Sequence, residues 1–169
     1  MNRRSIIGLS AIIALGLALL PGSSVAQQKP LKEQLIGTWA VVSFDSFDAS
    51  GAKVPNMEGR DLKGQFILTE NGRFSLQMIT EFPKLASNDR MKTTPVEEKA
   101  VAHGVLSYFG SYTVTEADKT VTLRIERSAF PNQVGDAKRV ATLTGDDLKM
   151  DNAGRLAGGK TVTVWRRVK

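Results

Sequence analysis

Residues 35–44 read Leu-Ile-Gly-Thr-Trp-Ala-Val-Val-Ser-Phe, and this stretch decides the fold. It is rich in β-branched and aromatic residues and contains no proline, so it predicts a β-strand. Its apolar side chains fall on both faces of that strand: Trp39 and Val41 on one, Ala40, Val42 and Phe44 on the other. A strand that is apolar on both faces is either central in a sheet or the closing seam of a small barrel.

A series of short alternating stretches follows, which favours the barrel. The Asn71-Gly72 pair between two of them indicates a tight hairpin, because both residues tolerate a left-handed backbone. We predict an all-β fold, an eight-stranded antiparallel up-and-down barrel of the lipocalin-like kind, whose first and last strands pair. The predicted strands are residues 37–47, 62–69, 73–80, 110–115, 120–127, 139–144, 148–151 and 160–168.

One short helix interrupts the strands. Thr94-Pro95-Val96-Glu97 is typical of a helix start, with Thr as the cap, Pro in the first turn and Glu97 completing a capping box. The helix is predicted to run to about Ser107, between strands three and four, with Val101, Val105 and Tyr108 on one face. Residues 81–93 before it are predicted to form a long loop, and we expect loop and helix to lie near the barrel mouth.

The first 26 residues predict a secretory signal peptide. Arg3 and Arg4 precede an apolar run over residues 5–20, and Ser24-Val25-Ala26 supplies the small residues of a cleavage site. We therefore expect cleavage near Ala26 and a periplasmic or secreted protein. The run is shorter than the roughly 20 residues that a membrane span needs, so a stable membrane anchor is disfavoured. The arginine pair leaves twin-arginine export open.

The remaining chain is expected to be a polar leader, residues 27–34, followed by one barrel domain, residues 35–169. It contains no cysteine, so its own core must hold it together without disulfides. Arg3 and Arg4 are the only charged residues in the predicted signal peptide, so the net charge of +6 falls to +4 without it. Its basic residues are scattered among acids, which argues against nucleic-acid binding.

Three motifs resemble a known family. Gly37-Thr38-Trp39 resembles the Gly-x-Trp signature of lipocalins, and together with residues 108–112 and 128–132 it resembles the bacterial lipocalin-like domain family. The resemblance implies an eight-stranded barrel, with no common activity. It also implies that an arginine of the last strand, Arg166 or Arg167, packs over Trp39.

The inward-facing residues of such a barrel either fill it or surround one small ligand, and the sequence leaves both open. Our hypothesis is a monomer that binds a small hydrophobic molecule. The candidate ligand-binding residues are Phe66, Leu68, Phe74, Leu76, Met78, Tyr108, Tyr112, Ile125, Asn132 and Arg139.

A polar cluster of Ser128, Asn132 and Arg139 has two interpretations. Asn132 and Arg139 would fix a carboxylate or carbonyl of a ligand at the barrel mouth, since arginine is a rigid two-pronged donor. Alternatively, Asn132 and Gly135 build a turn and Arg139 is a solvated or capping side chain.

No catalytic machinery is evident. His103 is the single histidine and there is no cysteine, which argues against a Cys/His zinc site or a catalytic triad. We expect no catalytic residue, metal or cofactor. Two alternatives stay open: a barrel-type cyclase or isomerase acting on a hydrophobic substrate through Tyr112, Glu126 and Arg139, and a ligand-free cell-envelope interaction protein.

Overall fold

The computed structural model describes residues 29–55, 57, 61–154 and 159–169; the predicted signal peptide lies outside them. Two 3-10 turns, Arg90–Lys92 and Pro131–Gln133, accompany the regular elements. Those elements are α1 (Leu31–Leu35), β1 (Gly37–Phe47), β2 (Lys53–Val54), β3 (Leu62–Leu68), β4 (Arg73–Thr80), α2 (Pro95–Gly104), β5 (Val105–Thr115), β6 (Thr120–Ser128), β7 (Gly135–Thr144), β8 (Asp147–Asn152) and β9 (Lys160–Arg167).

The strands close into an antiparallel barrel. From β3 to β9 each strand pairs with the next, and β1 pairs with β3 on one side and with β9 on the other. These eight strands form the barrel, and β2 adds two residues that pair only with the far end of β1. The predicted antiparallel barrel and its seam between first and last strands are confirmed.

The predicted position of the helix is wrong: α2 lies between β4 and β5 and follows the fourth strand of the chain. The reason is the extra strand β2, whose residues Lys53 and Val54 pair with Phe47 and Ser46 of β1. The sequence between the Gly51 turn and Pro55 is too short to show strand alternation, so this strand was not predicted.

The predicted end of the helix is also wrong. The capping box at Thr94 and Glu97 is present, but α2 ends at Gly104 and β5 begins at the next residue. Val105 and Tyr108, predicted on a helical face, instead pair with Ile79 and Leu76 of β4. Residues 105–109 are strand formers that have a β4 edge to pair with, and this pairing outweighs continuation of the helix.

The predicted polar leader includes a short helix that closes one end of the barrel. Leu31 and Leu35 of α1 are buried, and the Glu116 carboxylate in the β5–β6 turn accepts hydrogen bonds from the Leu31 and Lys32 amides at 2.8 and 3.0 Å. The Leu35 carbonyl accepts a hydrogen bond from Trp39 Nε1 at 2.9 Å. We call this part of the barrel the closed end.

Arg167 fastens the closed end to the seam. Its guanidinium lies 4.1 Å from the centre of the Trp39 ring and donates to the carbonyls of Ile36 at 3.0 Å and Gln34 at 2.5 Å. Arg167 is therefore the arginine that packs over the tryptophan. Arg166 points outward and pairs with Asp147 at 2.8 Å.

Aromatic side chains fill the closed end. The ring centre of Phe66 lies 6.1 Å from that of Phe74 and 5.5 Å from that of Trp165. Tyr112 Oη donates to the Thr69 carbonyl at 2.9 Å, so its hydroxyl is already satisfied. Side chains therefore fill this half of the barrel.

A bulge interrupts the ladder between β5 and β6, with Glu126 of β6 as the extra residue. The pairing of β5 with β6 shifts by one residue between Phe109 and Gly110. A side chain at Gly110 would collide with the Arg124 carbonyl of β6, so only glycine permits this approach.

Among the described residues, no helix has the length and apolar character needed to cross a membrane.

We expect the change Arg167→Ala to lower the free energy of unfolding by about 2 kcal/mol, because it removes a cation–π contact and two hydrogen bonds to partly buried carbonyls. Urea denaturation followed by circular dichroism measures this change. Arg166→Ala is the matched control, since it removes only an exposed ion pair and should change stability little. Equal losses in the two variants would show that the stack on Trp39 is not what holds the seam.

Candidate functional site

A cavity of about 870 Å³ occupies the half of the barrel opposite α1. It is surrounded by the ends of β1, β4, β6 and β8 and by the starts of β5, β7 and β9, with α2 and residues 130–134 at its mouth. The volume lies within the range of roughly 300–1,000 Å³ typical of small-molecule sites. The barrel is therefore filled at one end and hollow at the other.

One wall of the cavity is apolar. Strands β4, β5 and β6 contribute Leu76, Met78, Tyr108, Leu123 and Ile125, all buried and all lining the cavity. The register brings them together, since Leu76 pairs with Tyr108 across the β4–β5 ladder. We call these five residues the apolar wall.

The facing wall mixes polar and apolar groups. Strands β7, β8 and β9 contribute Arg139, Asn152, Thr161, Thr163 and Trp165, which we call the polar wall. Asn152 pairs with Thr161, and Thr163 pairs with the apolar Met150. Asn152 and Thr163 are buried although they are polar, so this side of the cavity contains buried hydrogen-bonding groups.

The polar wall contains one buried donor that has no protein acceptor in the described part of the chain. Trp165 Nε1 is fully buried and, among the described residues, is the one such side-chain atom with no hydrogen-bond partner. The Asn152 Oδ1 atom accepts a hydrogen bond from the Gly154 amide at 3.1 Å. Buried donors without acceptors are costly and are usually satisfied in native proteins.

The mouth is built by α2 and by the turn after β6. Ala102 and His103 of α2 line it on one side, and Phe130 and Val134 line it on the other. Phe130 and Val134 are about half exposed, at 52% and 49%. These side chains give the entrance an apolar rim.

The Glu97 carboxylate ties the loop of residues 81–93 to α2 beside the mouth. It accepts hydrogen bonds from the Thr94 amide at 2.8 Å, the Ala86 amide at 2.7 Å and the Thr94 hydroxyl at 2.9 Å. These bonds, that from the Thr94 amide first, lower the pKa of Glu97 below its ordinary 4.5. The end of α2 lies at the mouth as predicted, through Ala102 and His103, whereas the placement of the loop there stays a prediction, because none of residues 81–93 lines the cavity.

The structure brings six of the ten candidate ligand-binding residues to the cavity: Leu76, Met78, Tyr108, Ile125, Asn132 and Arg139. The other four, Phe66, Leu68, Phe74 and Tyr112, are buried in the closed end and do not line it. Strand alternation identifies the inward face, but not whether an inward residue lies at the filled or the hollow end. The binding role of the six remains a prediction.

Several cavity residues were missed. Phe44, Met150, Asn152, Thr163 and Trp165 line the cavity, yet they were not among the candidates. The alternation of β8 and β9 carried a signal for them, because Met150, Thr163 and Trp165 all fall on inward positions. Polar residues on an inward face are easily taken for solvent-facing ones.

The three residues of the predicted polar cluster, Ser128, Asn132 and Arg139, do not share one role. Ser128 Oγ accepts from the Phe130 amide at 3.0 Å and donates to Gln133 Oε1 at 2.9 Å, so Ser128 builds the turn. Asn132 is exposed at the rim of the cavity. Arg139 lies at an inward position of β7 and lines the cavity, and its Nη1 donates an exposed hydrogen bond to the Lys138 carbonyl at 3.0 Å.

The three residues suspected in an enzymatic alternative do not share a site. Tyr112 lies at the closed end, and Glu126 lies outside the barrel, where it forms a two-pronged ion pair with Arg73 at 2.5 and 2.9 Å. The hydrogen bonds from Arg73 lower the pKa of Glu126. Only Arg139 lines the cavity. Within the described ranges, no cluster of three or more His, Asp or Glu side chains has the geometry of a metal site.

A family model described as a lipocalin-like domain matches residues 36–168. No curated protein matches the chain. Among solved structures, the chain is similar to fatty-acid-binding protein 1 of Echinococcus granulosus, with 17% sequence identity and a TM-score of 0.40 over 81% of this chain and 99% of that one. That likeness is too distant to support a functional inference.

We expect the loop of residues 81–93 to loosen at acid pH. Because the pKa of Glu97 is lowered in the folded protein, its stabilising effect is complete above its unfolded value near 4.5 and is lost as the pH falls through the lower folded value. Amide hydrogen exchange at Ala86 and Thr94 should therefore show less protection at pH 3 than at pH 6, after correction for intrinsic exchange. In Glu97→Gln this pH dependence should disappear; its persistence would assign the effect to another group.

Proposed function

This chain belongs to the lipocalin-like domain family, and from that premise we propose that it binds a small hydrophobic molecule inside its barrel. The observation that carries the proposal is the cavity of about 870 Å³ with its buried apolar wall. Side chains fill the closed end, so the cavity is confined to one half of the barrel and does not result from loose packing throughout it.

The apolar wall supplies the main driving force. A ligand placed against it loses its contact with water, and each Å² of apolar surface removed from water contributes about 25 cal/mol. Leu76, Leu123 and Ile125 lie on strands that are hydrogen-bonded on both sides, so little ordering is needed when the ligand enters. A wall that is already formed reduces the entropic cost of binding.

The apolar rim at the mouth supports entry from this end. Phe130 and Val134 are exposed there. Val101 of α2 is also exposed, and it directly precedes Ala102, which lines the cavity. An apolar ligand would meet these side chains before it reaches the interior. The other end is closed by α1.

Export of a monomeric protein to the periplasm or the medium is part of this proposal. It is supported by the charged start, apolar run and small-residue cleavage site within residues 1–26. A binding protein without disulfides in such a compartment depends on its core, which the aromatic closed end provides.

The test is titration with N-phenyl-1-naphthylamine, a neutral apolar dye that fluoresces when it leaves water. We expect saturable binding of about one dye per chain. In Leu76→Trp, where the larger ring enters the cavity, affinity should fall at least about tenfold, which corresponds to about 1.4 kcal/mol. Fluorescence titration and native mass spectrometry measure affinity and stoichiometry.

Gln77→Trp is the matched control, because Gln77 is the next residue on β4 and its side chain is exposed on the outer face. This variant should bind the dye as the parent protein does. Thermal unfolding of both variants establishes that they fold. Unchanged dye affinity in folded Leu76→Trp would place the dye outside the barrel and refute cavity binding.

A further inference from the structure

The charges inside the barrel are of one sign. In the described strands the inward-facing positions carry two charged residues, Arg139 and Arg167, and no carboxylate. Arg167 belongs to the closed end, where Trp39 and two carbonyls hold it. Among the described residues, Arg139 is therefore the one charged side chain that both occupies an inward strand position and lines the cavity.

From this arrangement we propose that the ligand is an anionic amphiphile whose acidic group pairs with Arg139, while its apolar part lies on the apolar wall. This inference rests on the proposed function and specifies the chemical class of the ligand. The expected anionic group is a carboxylate, whose two oxygens match the planar fork of a guanidinium.

The register places Arg139 inside the barrel. Arg139 pairs across the β6–β7 ladder with Val121, which is completely buried, and paired residues of neighbouring strands share a face. Along β7 the less exposed positions alternate, at Ala137, Arg139, Ala141 and Leu143. An arginine thus occupies an inward position between two alanines, whose small side chains leave space around it.

Protein groups do not neutralise Arg139. Within the described residues it forms no ion pair, and its hydrogen bond is from Nη1 to the Lys138 carbonyl at 3.0 Å. A guanidinium has five N–H donors, so most of its donors remain for a ligand. Asp136 and Lys138 also line the cavity, but both are exposed and occupy the opposite face of β7 from Arg139.

The rest of the polar wall adds a donor to the same side. The Trp165 N–H is buried and has no hydrogen-bond partner among the described residues. A ligand that displaces water from Arg139 and covers Trp165 must supply hydrogen-bond acceptors, because an unpaired charge or donor is costly once water is removed. An anionic group with several acceptor oxygens meets this requirement, whereas a pure hydrocarbon does not.

The test compares two competitors that differ only in the head group, decanoate and decan-1-ol, in displacing N-phenyl-1-naphthylamine at pH 7.5. Both carry the same ten-carbon chain, so burial of the chain contributes equally. We expect decanoate to displace the dye at a concentration at least about tenfold lower than decan-1-ol, in line with a charge-assisted hydrogen bond.

In Arg139→Met the preference for decanoate should disappear while displacement by decan-1-ol is retained. Arg127→Met is the matched control, because Arg127 also donates from Nη1 to the carbonyl of the preceding residue, at 2.8 Å, but its side chain is exposed outside the barrel. This control should keep the full preference for decanoate. Arg139→Lys, which retains the charge, should keep part of it.

The outcomes separate the two proposals. Equal displacement of the dye by decanoate and decan-1-ol in the parent protein overturns the anionic ligand and leaves hydrophobic binding intact. A preference that survives in Arg139→Met overturns the role of Arg139. If neither the dye nor either competitor binds, the proposed function itself fails. The comparison in the parent protein decides the proposal even if Arg139→Met does not fold.

Discussion

The pairing of β1 with β9 is the contact on which the rest of the structure depends. It converts a curved sheet into a barrel, and the stack of Arg167 on Trp39 fixes it at the closed end. The same strand β9 carries Thr163 and Trp165 into the cavity, four and two residues before Arg167. The interaction that closes the barrel therefore also sets the depth and orientation of the polar wall.

The cavity follows from how different side chains are distributed along an otherwise regular barrel. At the closed end, inward positions hold aromatic residues that contact one another, such as Phe66 and Phe74. Toward the mouth, the inward positions of β7 to β9 hold small or polar residues, such as Ala137, Asn152 and Thr163. Small side chains on one wall and medium apolar ones on the other leave a hollow with two chemically distinct faces.

Local patterns in the sequence predicted much of this fold. Strand alternation and the Asn71-Gly72 hairpin identify most strands, and Gly37-Thr38-Trp39 identifies the strand of the seam. All three patterns depend only on residues that are neighbours in the sequence. Local patterns failed where tertiary pairing decides the outcome. Residues 105–109 continue a helical spacing, but the free edge of β4 makes them a strand, and the two residues of β2 have meaning only beside β1.

The candidate site was predictable in part for the same reason. An inward face can be read from alternation, so Leu76, Met78, Tyr108 and Ile125 were found. The depth of a residue within the barrel cannot be read from alternation, because it depends on strand register and tilt. Phe66 and Phe74 therefore turned out to lie at the filled end. The residues of the polar wall other than Arg139 were not predicted, because Asn152 and Thr163 resemble solvent-facing residues until the opposing strands are known.

The seam also has a consequence for the order of folding. Trp39 and Arg167 are register partners near opposite ends of the chain, so the last contact in the ladder joins residues that are far apart in sequence. Forming such a contact requires closure of a very long loop, whereas hairpins such as β3–β4 close locally. The hairpins are thus expected to form first and the seam late. A chain that has not yet gained β9 is an open sheet with two unpaired edges, prone to pair with other chains until its final strand arrives.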